Sequence, residues 1–595
     1  MELSEYYTED LFRKEARAFL DLVAPCQSME QARERLFNRV TRHQFDTHAE
    51  ESPIPFGFAV RVRDSARTFQ SVLKMRSDKL TGFSVTKVFW DLAKGNPRPD
   101  LGSGFFAEMI HLIYGLEARA LNERFGDFPV TEPLTGREAA EVRSDELDRL
   151  SSHIEAVISR YSHGLRASAR SRRVRNRHRI LDQLKGDEKD WNNWQWHIGN
   201  IVMDADLLGS LINIDEEGLE TVRAALDSNI PFGITPFYLS LLDNHFEGKD
   251  RALRAQVLPP SDYVEEMTQD LADRDCVFDF MLERDTSPTD HITRRYPNIV
   301  ILKPIRTCPQ ICVYCQRNWE IETANQADAV TSKKELEQAI RWIEANPSII
   351  EILITGGDPL MLDDEWLEWL LSRISRINHI DMIRIGSRML VTLPSRITDN
   401  LADLLGSYRL PGVRDICIMT HLEHPYELSE ELITSVQKLR MRGISIYNQL
   451  VYTFYISRRF EASLLRRLLR RIGIDPYYTF ITKGKEETGQ YRVPIARLLQ
   501  EQKEEARSLP GTRRTDEAVY NVPGLGKNYL RAIQHRDILT ITPRGARIYE
   551  FHPWEKNIIE QKTFIQEDIP ILDYLDRLAA LGENPDDYES IWYYY

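Results

Sequence analysis

The sequence predicts an α/β protein whose central part alternates six short strands with helices. Runs rich in β-branched residues recur between Ile299 and Ile481, and stretches with apolar residues at helical spacing separate them. The six runs are NIVILK (298–303), IIEILI (349–354), IDMIRI (380–385), RDICIM (414–419), ISIYNQLV (444–451) and PYYTFI (476–481). Strands that alternate with helices form parallel sheets through right-handed crossovers, so functional residues are expected at the carboxyl ends of these strands.

Two of the intervening helices carry boundary signals. Ser332 and Glu335 can form a capping box at the start of one helix. A second helix is expected to stop at Gly443, because glycine readily adopts the left-handed conformation found after helix ends.

The segments before the sheet read as helical. Residues 1 to about 163 carry helix formers at helical spacing but no catalytic constellation, so their role stays open. A basic run follows, made of Arg166, Arg170, Arg172, Arg173, Arg175, Arg177, His178 and Arg179. It could meet nucleic acid, but a helical linker that contacts acidic surface elsewhere in this protein is the favoured interpretation.

Composition limits the classes of function. With 595 residues, two or three domains are expected, and a net charge of −14 argues against a general nucleic-acid binder. Six cysteines in so long a chain do not form a disulfide framework. The N-terminus shows no signal peptide and no run approaches a membrane span of about 20 apolar residues. We expect a protein of the reducing cytoplasm.

Three cysteines cluster directly after the first predicted strand. Cys308, Cys312 and Cys315 have C-x3-C-x2-C spacing. Thiolates are the ligands that iron–sulfur clusters require, and three of them can bind three irons of a [4Fe-4S] cube while the fourth iron stays open for a chelating molecule. A zinc site would need a fourth ligand nearby, and the next candidates downstream are His379 and Cys417. Zinc or unliganded core cysteines remain the alternatives on spacing alone.

Glycine-rich turns follow two other strands. Gly356-Gly357-Asp358 comes after the second strand, where two glycines let the backbone approach a ligand, although a plain tight turn is the alternative. After the sixth strand, Asn521-Val-Pro-Gly-Leu-Gly-Lys527 places a lysine behind such a turn. This lysine could be a surface amine, a phosphate contact or a Schiff-base nucleophile.

The cysteine spacing and the Gly-Gly turn resemble those of the radical S-adenosylmethionine (SAM) superfamily, whose fold is a partial (β/α)6 barrel. Over about Asp190 to Trp554 the chain resembles, more narrowly, the lysine 2,3-aminomutase family. The stretches that carry this resemblance include WNNWQW, ITPFYLSLLD, RRYPNIVILK, LITGGDPL, IRIGSRMLVTLPSRIT, THLEHPYELSEE, PYYTFITKGKEETGQYRVPI and VPGLGK. Several long stretches in the same order are more specific than any single motif.

The resemblance implies three cofactors. The three clustered cysteines would bind a [4Fe-4S] cluster, and the turn of Gly356, Gly357 and Asp358 would contact SAM. Lys527 would carry pyridoxal 5′-phosphate. The implied fold is then a partial (β/α)6 radical SAM barrel with a helical N-terminal extension and a C-terminal segment that holds the pyridoxal-phosphate lysine.

The resemblance also implies further site residues. Arg295 and Arg388 would lie near the phosphate of pyridoxal phosphate, a dianion that guanidinium groups bind well. Gln449 would line the site, and Arg317 would pair with the substrate α-carboxylate.

The family's reaction moves the α-amino group of an amino acid to Cβ through a 5′-deoxyadenosyl radical. By resemblance, this isomerase would take a small amino-acid substrate and need a reductant such as flavodoxin or ferredoxin. We expect a homo-oligomer, with no membrane and no nucleic acid involved.

The substrate pocket departs from that of the lysine-specific members. Where these members use two aspartates against the substrate ammonium, this chain has Lys483 and Asn521, or Tyr520 if the one-residue gap lies elsewhere. A lysine facing a lysine substrate would be repelled by several kcal/mol at an effective dielectric of about 20. The Lys/Asn pair is similar to that of glutamate 2,3-aminomutases, so conversion of L-glutamate to β-glutamate is favoured. Alternatively, Lys483 points outward or pairs with a neighbouring glutamate.

Other functions stay open. The chain could isomerise lysine or another amino acid, modify a macromolecular substrate, or be a non-catalytic relative. The predicted organisation is 1–163 as a helical N-terminal domain of unknown role, 164–189 as a basic linker, 190–297 as a helical region of the aminomutase type, 298–500 as the partial barrel, 501–556 as the segment with the pyridoxal-phosphate lysine, and 557–595 as a tail.

Overall fold

The computed structural model describes residues 3–46, 56–119, 134–244, 248–269, 279, 281–317, 320–482, 486–557 and 563–595. Its strands are β1 (Ile292–Thr293), β2 (Ile299–Ile305), β3 (Glu351–Gly356), β4 (Met382–Gly386), β5 (Asp415–Thr420), β6 (Ser445–Tyr452), β7 (Asp475–Ile481), β8 (Glu517–Val522), β9 (Gly526–Tyr529), β10 (Arg536–Ile541), β11 (Arg547–Phe551) and β12 (Phe564–Glu567).

The helices are given in three groups along the chain, and the first group is called the N-terminal helices below. The N-terminal series is α1 (Leu3–Tyr6), α2 (Glu9–Glu15), α3 (Arg17–Val23), α4 (Met29–Asp46), α5 (Ala59–Val72), α6 (Met75–Thr81), α7 (Val85–Ala93), α8 (Ser103–Leu116) and α9 (Gly136–Ser159). The chain continues through α10 (Ala167–Leu184), α11 (Glu188–Trp191), α12 (Trp194–Gly199), α13 (Ala205–Leu211), α14 (Glu216–Asp227), α15 (Pro236–Leu241), α16 (Arg251–Val257) and α17 (Ser261–Gln269). The remaining helices are α18 (Lys333–Glu344), α19 (Asp364–Ile374), α20 (Met389–Thr392), α21 (Asp399–Ser407), α22 (Glu430–Met441), α23 (Glu461–Ile472), α24 (Ile495–Ser508) and α25 (Ile571–Ala580).

A nine-stranded sheet in the order β1 to β9 forms the centre of the molecule. Strands β2 to β8 pair in parallel, whereas β1 and β9 pair antiparallel at the two edges. The six predicted strands correspond to β2 to β7, and the predicted α/β class is confirmed. The seventh parallel strand, β8, and the hairpin that it forms with β9 were not predicted.

Local sequence signals act as expected in two crossover helices. At α18 the Ser332 hydroxyl accepts from the Glu335 N–H, and the Glu335 carboxylate accepts from the Ser332 N–H, which completes the capping box. Helix α22 ends just before Gly443, which has a φ of 75°.

The alternation of burial defines two faces of the sheet. In β3 and β4, Ile352, Ile354, Ile383 and Ile385 are buried beneath the helical layer, whereas their neighbours along each strand are half-buried. We call the second face, which Arg384 occupies, the inner face. Ligands of such a sheet bind at its carboxyl edge.

The basic run lies in α10 and contacts this protein's own polar groups. Arg172 pairs with Asp243 at 3.0 Å, Arg170 pairs with Glu430 at 2.8 Å, and Arg173 donates to the carbonyl oxygen of Leu428. These contacts favour the interpretation as a segment that binds the protein's own acidic surface.

The N-terminal helices pack against the C-terminal part of the chain. They share a core of aromatic side chains and contact the antiparallel sheet β10–β11–β12 through α5 and α6. Glu108 of α8 and Arg547 of β11 form an ion pair at 2.9 Å, with both side chains only 3% exposed. Arg547 also donates to the carbonyl oxygen of Trp592. Among the described helices, none is both long and apolar enough to span a bilayer.

We expect Glu108→Gln to lower the free energy of unfolding by about 3 kcal/mol, because it leaves the buried Arg547 charge without its counter-ion. Urea unfolding followed by circular dichroism measures this change. The matched control is Arg544→Gln, which removes an exposed pair with Glu567 on the same hairpin and should cost less than about 1 kcal/mol. Equal effects of the two substitutions would contradict the structural role of the buried pair.

Candidate functional site

The cysteine loop and the Gly-Gly turn lie against each other at the carboxyl edge of the sheet. The loop follows β2 and the turn follows β3, which are parallel neighbours. The N–H of Asp358 donates to the carbonyl oxygen of Thr307 at 3.0 Å. A Cβ at position 357 would lie 2.0 Å from that oxygen, so only glycine permits this approach.

The three cysteine thiols lie in one partly buried region. Burial raises the pKa of the Cys308 thiol well above its usual value, and the nearby Asp358, Cys315 and Cys312 act in the same direction. Burial likewise raises the pKa of Cys312 to about 11. The backbone N–H of Arg317 donates to the sulfur of Cys315 at 3.3 Å. Each sulfur is free of disulfide bonds.

Arg388 links the cysteine loop to the strand-end turns. Its guanidinium donates to the Cys312 sulfur at 2.7 Å and to the Glu427 carboxylate at 2.6 Å. Its backbone N–H donates to the Asp358 carboxylate at 2.9 Å, and the Leu360 N–H donates to the same carboxylate at 3.1 Å. These contacts join Arg388 to the cysteine loop, to the turn after β3 and to Glu427, and a position of Arg388 beside a phosphate stays a prediction.

Arg317 is held by an internal carboxylate. Its guanidinium donates to Glu283 at 2.9 Å, and Lys303 lies 2.9 Å from the same carboxylate. Although burial raises the pKa of Glu283, the charges of Arg317 and Lys303 outweigh it and lower that pKa to about 2. The Arg317 guanidinium, which the resemblance assigns to the substrate α-carboxylate, is paired with Glu283 here, and its contact with a substrate stays a prediction.

Lys527 lies on the hairpin strand β9, directly opposite Asn521 of β8. Opposite residues of an antiparallel pair share a face, so the Asn521 and Lys527 side chains are neighbours. The Lys527 ammonium lies 4.6 Å from the centre of the Tyr296 ring and 5.2 Å from that of Tyr478. Tyr520, the alternative pocket residue, pairs with Asn528 and stacks on Phe551 on the other face of the hairpin.

The amine of Lys527 has an unusual electrostatic environment. Burial lowers its pKa to about 8, and the positive charges of Arg384 and Arg295 add to this effect while Glu555 opposes it. Arg295 pairs with Glu555 at 2.8 Å and donates to the carbonyl oxygen of Met281. A Cβ at Gly526 would lie 1.9 Å from a Glu555 oxygen, so glycine at this position, with a φ of 75°, lets Glu555 approach the hairpin.

Gln449 lies on the same face as this group. Gln449 pairs with Tyr478 of β7, and Tyr478 pairs with Glu517 of β8. Asn521 follows Glu517 by four residues on the same strand, which is two full periods, so both lie on one face. The period of two therefore places Gln449, Tyr478 and Asn521 on the inner face, together with Lys527. Lys483 lies outside the described residues.

The predicted residues thus form two groups. The first surrounds the cysteine loop and contains the Gly-Gly turn, Arg388 and Arg317. The second surrounds Lys527 and contains Arg295, Asn521 and Gln449. The segment from Met281 to Glu283 joins them, because Arg295 contacts its first residue and Arg317 contacts its last.

Sequence reasoning missed the carboxylates that pair with the three predicted arginines. Glu283, Glu427 and Glu555 lie on separate loops or short turns, where a single glutamate gives no periodic signal. It also missed Arg384, which forms an ion pair with Glu351 and donates to the Tyr477 hydroxyl at 2.7 Å. The sequence offered one indication of a role for Arg384, which is that a charged residue stands inside a strand of the predicted sheet.

The comparisons with known proteins agree on one family. A family model described as the radical SAM superfamily matches residues 302–499. An uncharacterized KamA family protein of Methanocaldococcus jannaschii is 41% identical, over 97% of this chain and 98% of that protein. A glutamate 2,3-aminomutase of Clostridioides difficile is 33% identical, over 54% of this chain and 72% of its own. An L-lysine 2,3-aminomutase of Methanococcus maripaludis is also 33% identical, over 52% and 69%.

The lowered pKa of Lys527 predicts how its amine reacts. Well below pH 8 the Lys527 amine is mostly protonated and unreactive, and its neutral fraction grows as the pH approaches and passes its pKa of about 8. We expect acetylation of Lys527, measured by pulsed labelling and mass spectrometry on protein free of pyridoxal phosphate, to rise with that midpoint rather than the ~10.4 of ordinary lysine.

The matched variant is Arg384→Gln. It removes one of the charges that lower the pKa of Lys527, so the labelling midpoint should move to higher pH. Labelling that rises only at the midpoint of ordinary lysine in both proteins would show that the amine is not buried as described.

Proposed function

Since this chain belongs to the KamA family of radical SAM proteins, we propose that it is a 2,3-aminomutase that moves the α-amino group of L-glutamate to Cβ. The observation that carries this proposal is the pairing of Asn521 with Lys527 on the inner face. The neutral amide of Asn521 lies beside the proposed cofactor lysine, at the position where, by the family resemblance, lysine-specific members have an aspartate.

The residues present fit the three proposed cofactors. Three thiols without disulfides can bind three irons, and N–H donors at the sulfurs of Cys312 and Cys315 are the contacts that tune such clusters. Gln310 and Tyr314 of the cysteine loop also bury polar side-chain atoms that have no hydrogen-bond partner in the described part of the chain. Buried polar atoms of this kind are normally satisfied, which supports a bound group at the loop.

The environment of Lys527 fits pyridoxal phosphate. A lysine acts as a nucleophile toward an aldehyde only when neutral, and its lowered pKa provides that form near neutral pH. The aromatic rings of Tyr296 and Tyr478 beside the amine suit a flat pyridine ring. Arg295 can donate to the phosphate if part of its ion pair with Glu555 is broken when the cofactor binds.

When bound, the cluster and SAM supply a 5′-deoxyadenosyl radical, and pyridoxal phosphate supplies the aldehyde that holds the substrate amine. The chain's own residues position the substrate between these groups. Arg317 binds the α-carboxylate in place of Glu283, and Lys483 with Asn521 binds the side-chain carboxylate. The two groups of residues meet at the Met281–Glu283 segment, so the substrate would lie across the carboxyl edge of the sheet.

Positive charge near Lys527 supports an acidic substrate. Arg295 and Arg384 both act on the lysine amine, and a substrate ammonium placed there would add a further like charge. Lysine remains the second candidate because the lysine and glutamate enzymes named above show equal identity to this chain. We also propose a reductant such as flavodoxin or ferredoxin as electron donor, and a homo-oligomeric state.

The first test is turnover. Reconstituted protein with SAM, pyridoxal phosphate and a reductant should convert L-glutamate to β-glutamate and leave L-lysine unchanged, as measured by chromatography of derivatised amino acids. Lys483→Gln should lower kcat/KM for glutamate. The loss should correspond to about 2–5 kcal/mol of transition-state free energy, because the substitution removes the partner of a desolvated carboxylate.

The control for that variant is Lys334→Gln, an exposed lysine of α18 with the same change of charge, which should keep full activity. Isomerisation of lysine alone would overturn the choice of substrate. Isomerisation of neither amino acid by a protein that holds all three cofactors would overturn the proposed reaction.

The second test separates the cofactor sites. Cys312→Ala should lose the iron–sulfur absorbance and bound iron while it keeps pyridoxal phosphate, because the cluster needs each of its three thiolates. Lys527→Ala should do the reverse: it keeps iron and loses the covalent attachment of pyridoxal phosphate, measured by borohydride reduction and mass spectrometry. Full iron content in Cys312→Ala, or attachment at another lysine, would contradict these assignments.

A further inference from the structure

Four charged side chains form a closed ring beside the cysteine loop, and we call this group the charge ring. Lys303 lies 2.9 Å from the carboxylate of Glu283 and also pairs with Glu320. Arg317 lies 2.9 Å from Glu283 and 3.8 Å from Glu320. The four side chains are only 6–15% exposed, and positive and negative charges alternate around the ring. Each carboxylate therefore has two cationic partners.

Lys303 lies at the carboxyl end of β2, next to the Gly-Gly turn. A Cβ at Gly356 would lie 3.2 Å from the Cβ of Lys303 and 3.4 Å from its Cγ, so the lysine stem packs on the backbone of the turn. The proposed reaction uses Arg317 but gives Lys303 no part. Burial of an ammonium group is costly unless it is paired, so the partner of Lys303 indicates its role.

The Glu283 carboxylate bridges Arg317 and Lys303. One oxygen accepts from Nη2 of Arg317 at 2.9 Å, and the other accepts from Nε at 3.3 Å and lies 2.9 Å from the Lys303 ammonium. The backbone N–H groups of Glu283 and Arg284 donate to the carboxylate of Asp279, at 2.8 and 3.1 Å. Because the backbone is held there, rotation of the Glu283 side chain alone can break its contact with Arg317 and keep the one with Lys303.

We propose that Glu283 competes with the substrate α-carboxylate for Arg317, and that Lys303 retains the displaced Glu283 carboxylate. This inference rests on the role of Arg317 in the proposed function. A carboxylate left in a buried site without a cation would be strongly destabilising, and Lys303 prevents this when the substrate binds. A neutral group makes weaker hydrogen bonds to a guanidinium than a carboxylate does. The exchange therefore selects amino acids with a free α-carboxylate over amides and peptides.

Steady-state kinetics of the reconstituted enzyme test the competition. The substrate is whichever of glutamate and lysine the enzyme isomerises, since both carry an α-carboxylate. Glu283→Gln should lower KM at least about threefold, because a neutral amide competes less well for the guanidinium. Lys303→Met/Glu320→Gln, which removes one charge of each sign, should raise KM at least about tenfold, because the displaced Glu283 then has no cation. In both variants kcat should change less than about twofold, since neither removes a group that acts only in the transition state.

A double-mutant cycle shows whether Lys303 acts through Glu283. In a Glu283→Gln background, Lys303→Met/Glu320→Gln should no longer raise KM. The matched control is Glu322→Gln, an exposed glutamate on the same loop as Glu320, which should keep the native KM. A raised or unchanged KM in Glu283→Gln would overturn the competition. A rise in KM that persists in the Glu283→Gln background would overturn the role of Lys303.

A second measurement needs no turnover. Phenylglyoxal modifies accessible guanidinium groups, and mass spectrometry reports the extent of modification at Arg317. In cofactor-loaded protein without substrate, Arg317 should react at least about threefold faster in Glu283→Gln than in the native protein, because its ion pair is weakened. If the native protein isomerises neither amino acid, the proposed function fails, while this measurement still decides the inference. Equal modification of Arg317 in the two proteins would contradict the competition.

Discussion

The parallel register of strands β2 to β8 is the constraint on which the candidate site depends. In a parallel sheet all carboxyl ends lie at one edge, so loops far apart in sequence meet there. The backbone contact between Asp358 and Thr307 then locks the turn after β3 to the loop after β2. A side chain at Gly357 would break that contact, and the cysteine loop would lose its support. The position of the three sulfurs therefore follows from backbone geometry before any cofactor binds.

Electrostatic compensation is the second common feature of the site. Arg388 and Arg295 pair with the carboxylates of Glu427 and Glu555, and Arg317 pairs with Glu283 and, at a longer distance, with Glu320. A buried guanidinium without a counter-ion would cost several kcal/mol, so the protein needs these pairs to keep its anion-binding groups in place. Under the proposed function, an incoming carboxylate or phosphate would have to replace one of these partners. Substrate specificity would then depend on geometry as well as on charge, because each arginine already has a carboxylate partner.

The sequence predicted the repetitive parts of the fold and the residues with unusual chemistry. The six runs of β-branched residues correspond to β2 to β7, because the face of each strand that packs beneath the helices is built from buried apolar, often β-branched, residues. The hairpin of β8 and β9 escaped prediction because its turn, Pro-Gly-Leu-Gly, indicated only a loop, whereas the strands are fixed by pairing with β7. The contact of Arg388 with Cys312 could not be read from spacing, since it joins loops that 76 positions separate.

The N-terminal helices also bear on the candidate site, although they lie outside it. Only a few residues separate β9, which carries Lys527, from β10, and α5 and α6 pack on β10. The ion pair between Glu108 and Arg547 fixes α8 to the neighbouring strand β11. Under the proposed function Lys527 would carry a cofactor, and a residue that positions a reacting group must be held to within about half an ångström. The aminomutases compared above match only 52–54% of this chain, whereas the Methanocaldococcus jannaschii relative matches 97% of it. Within the described residues, these contacts hold the N-terminal helices against the sheet that follows the lysine hairpin along the chain.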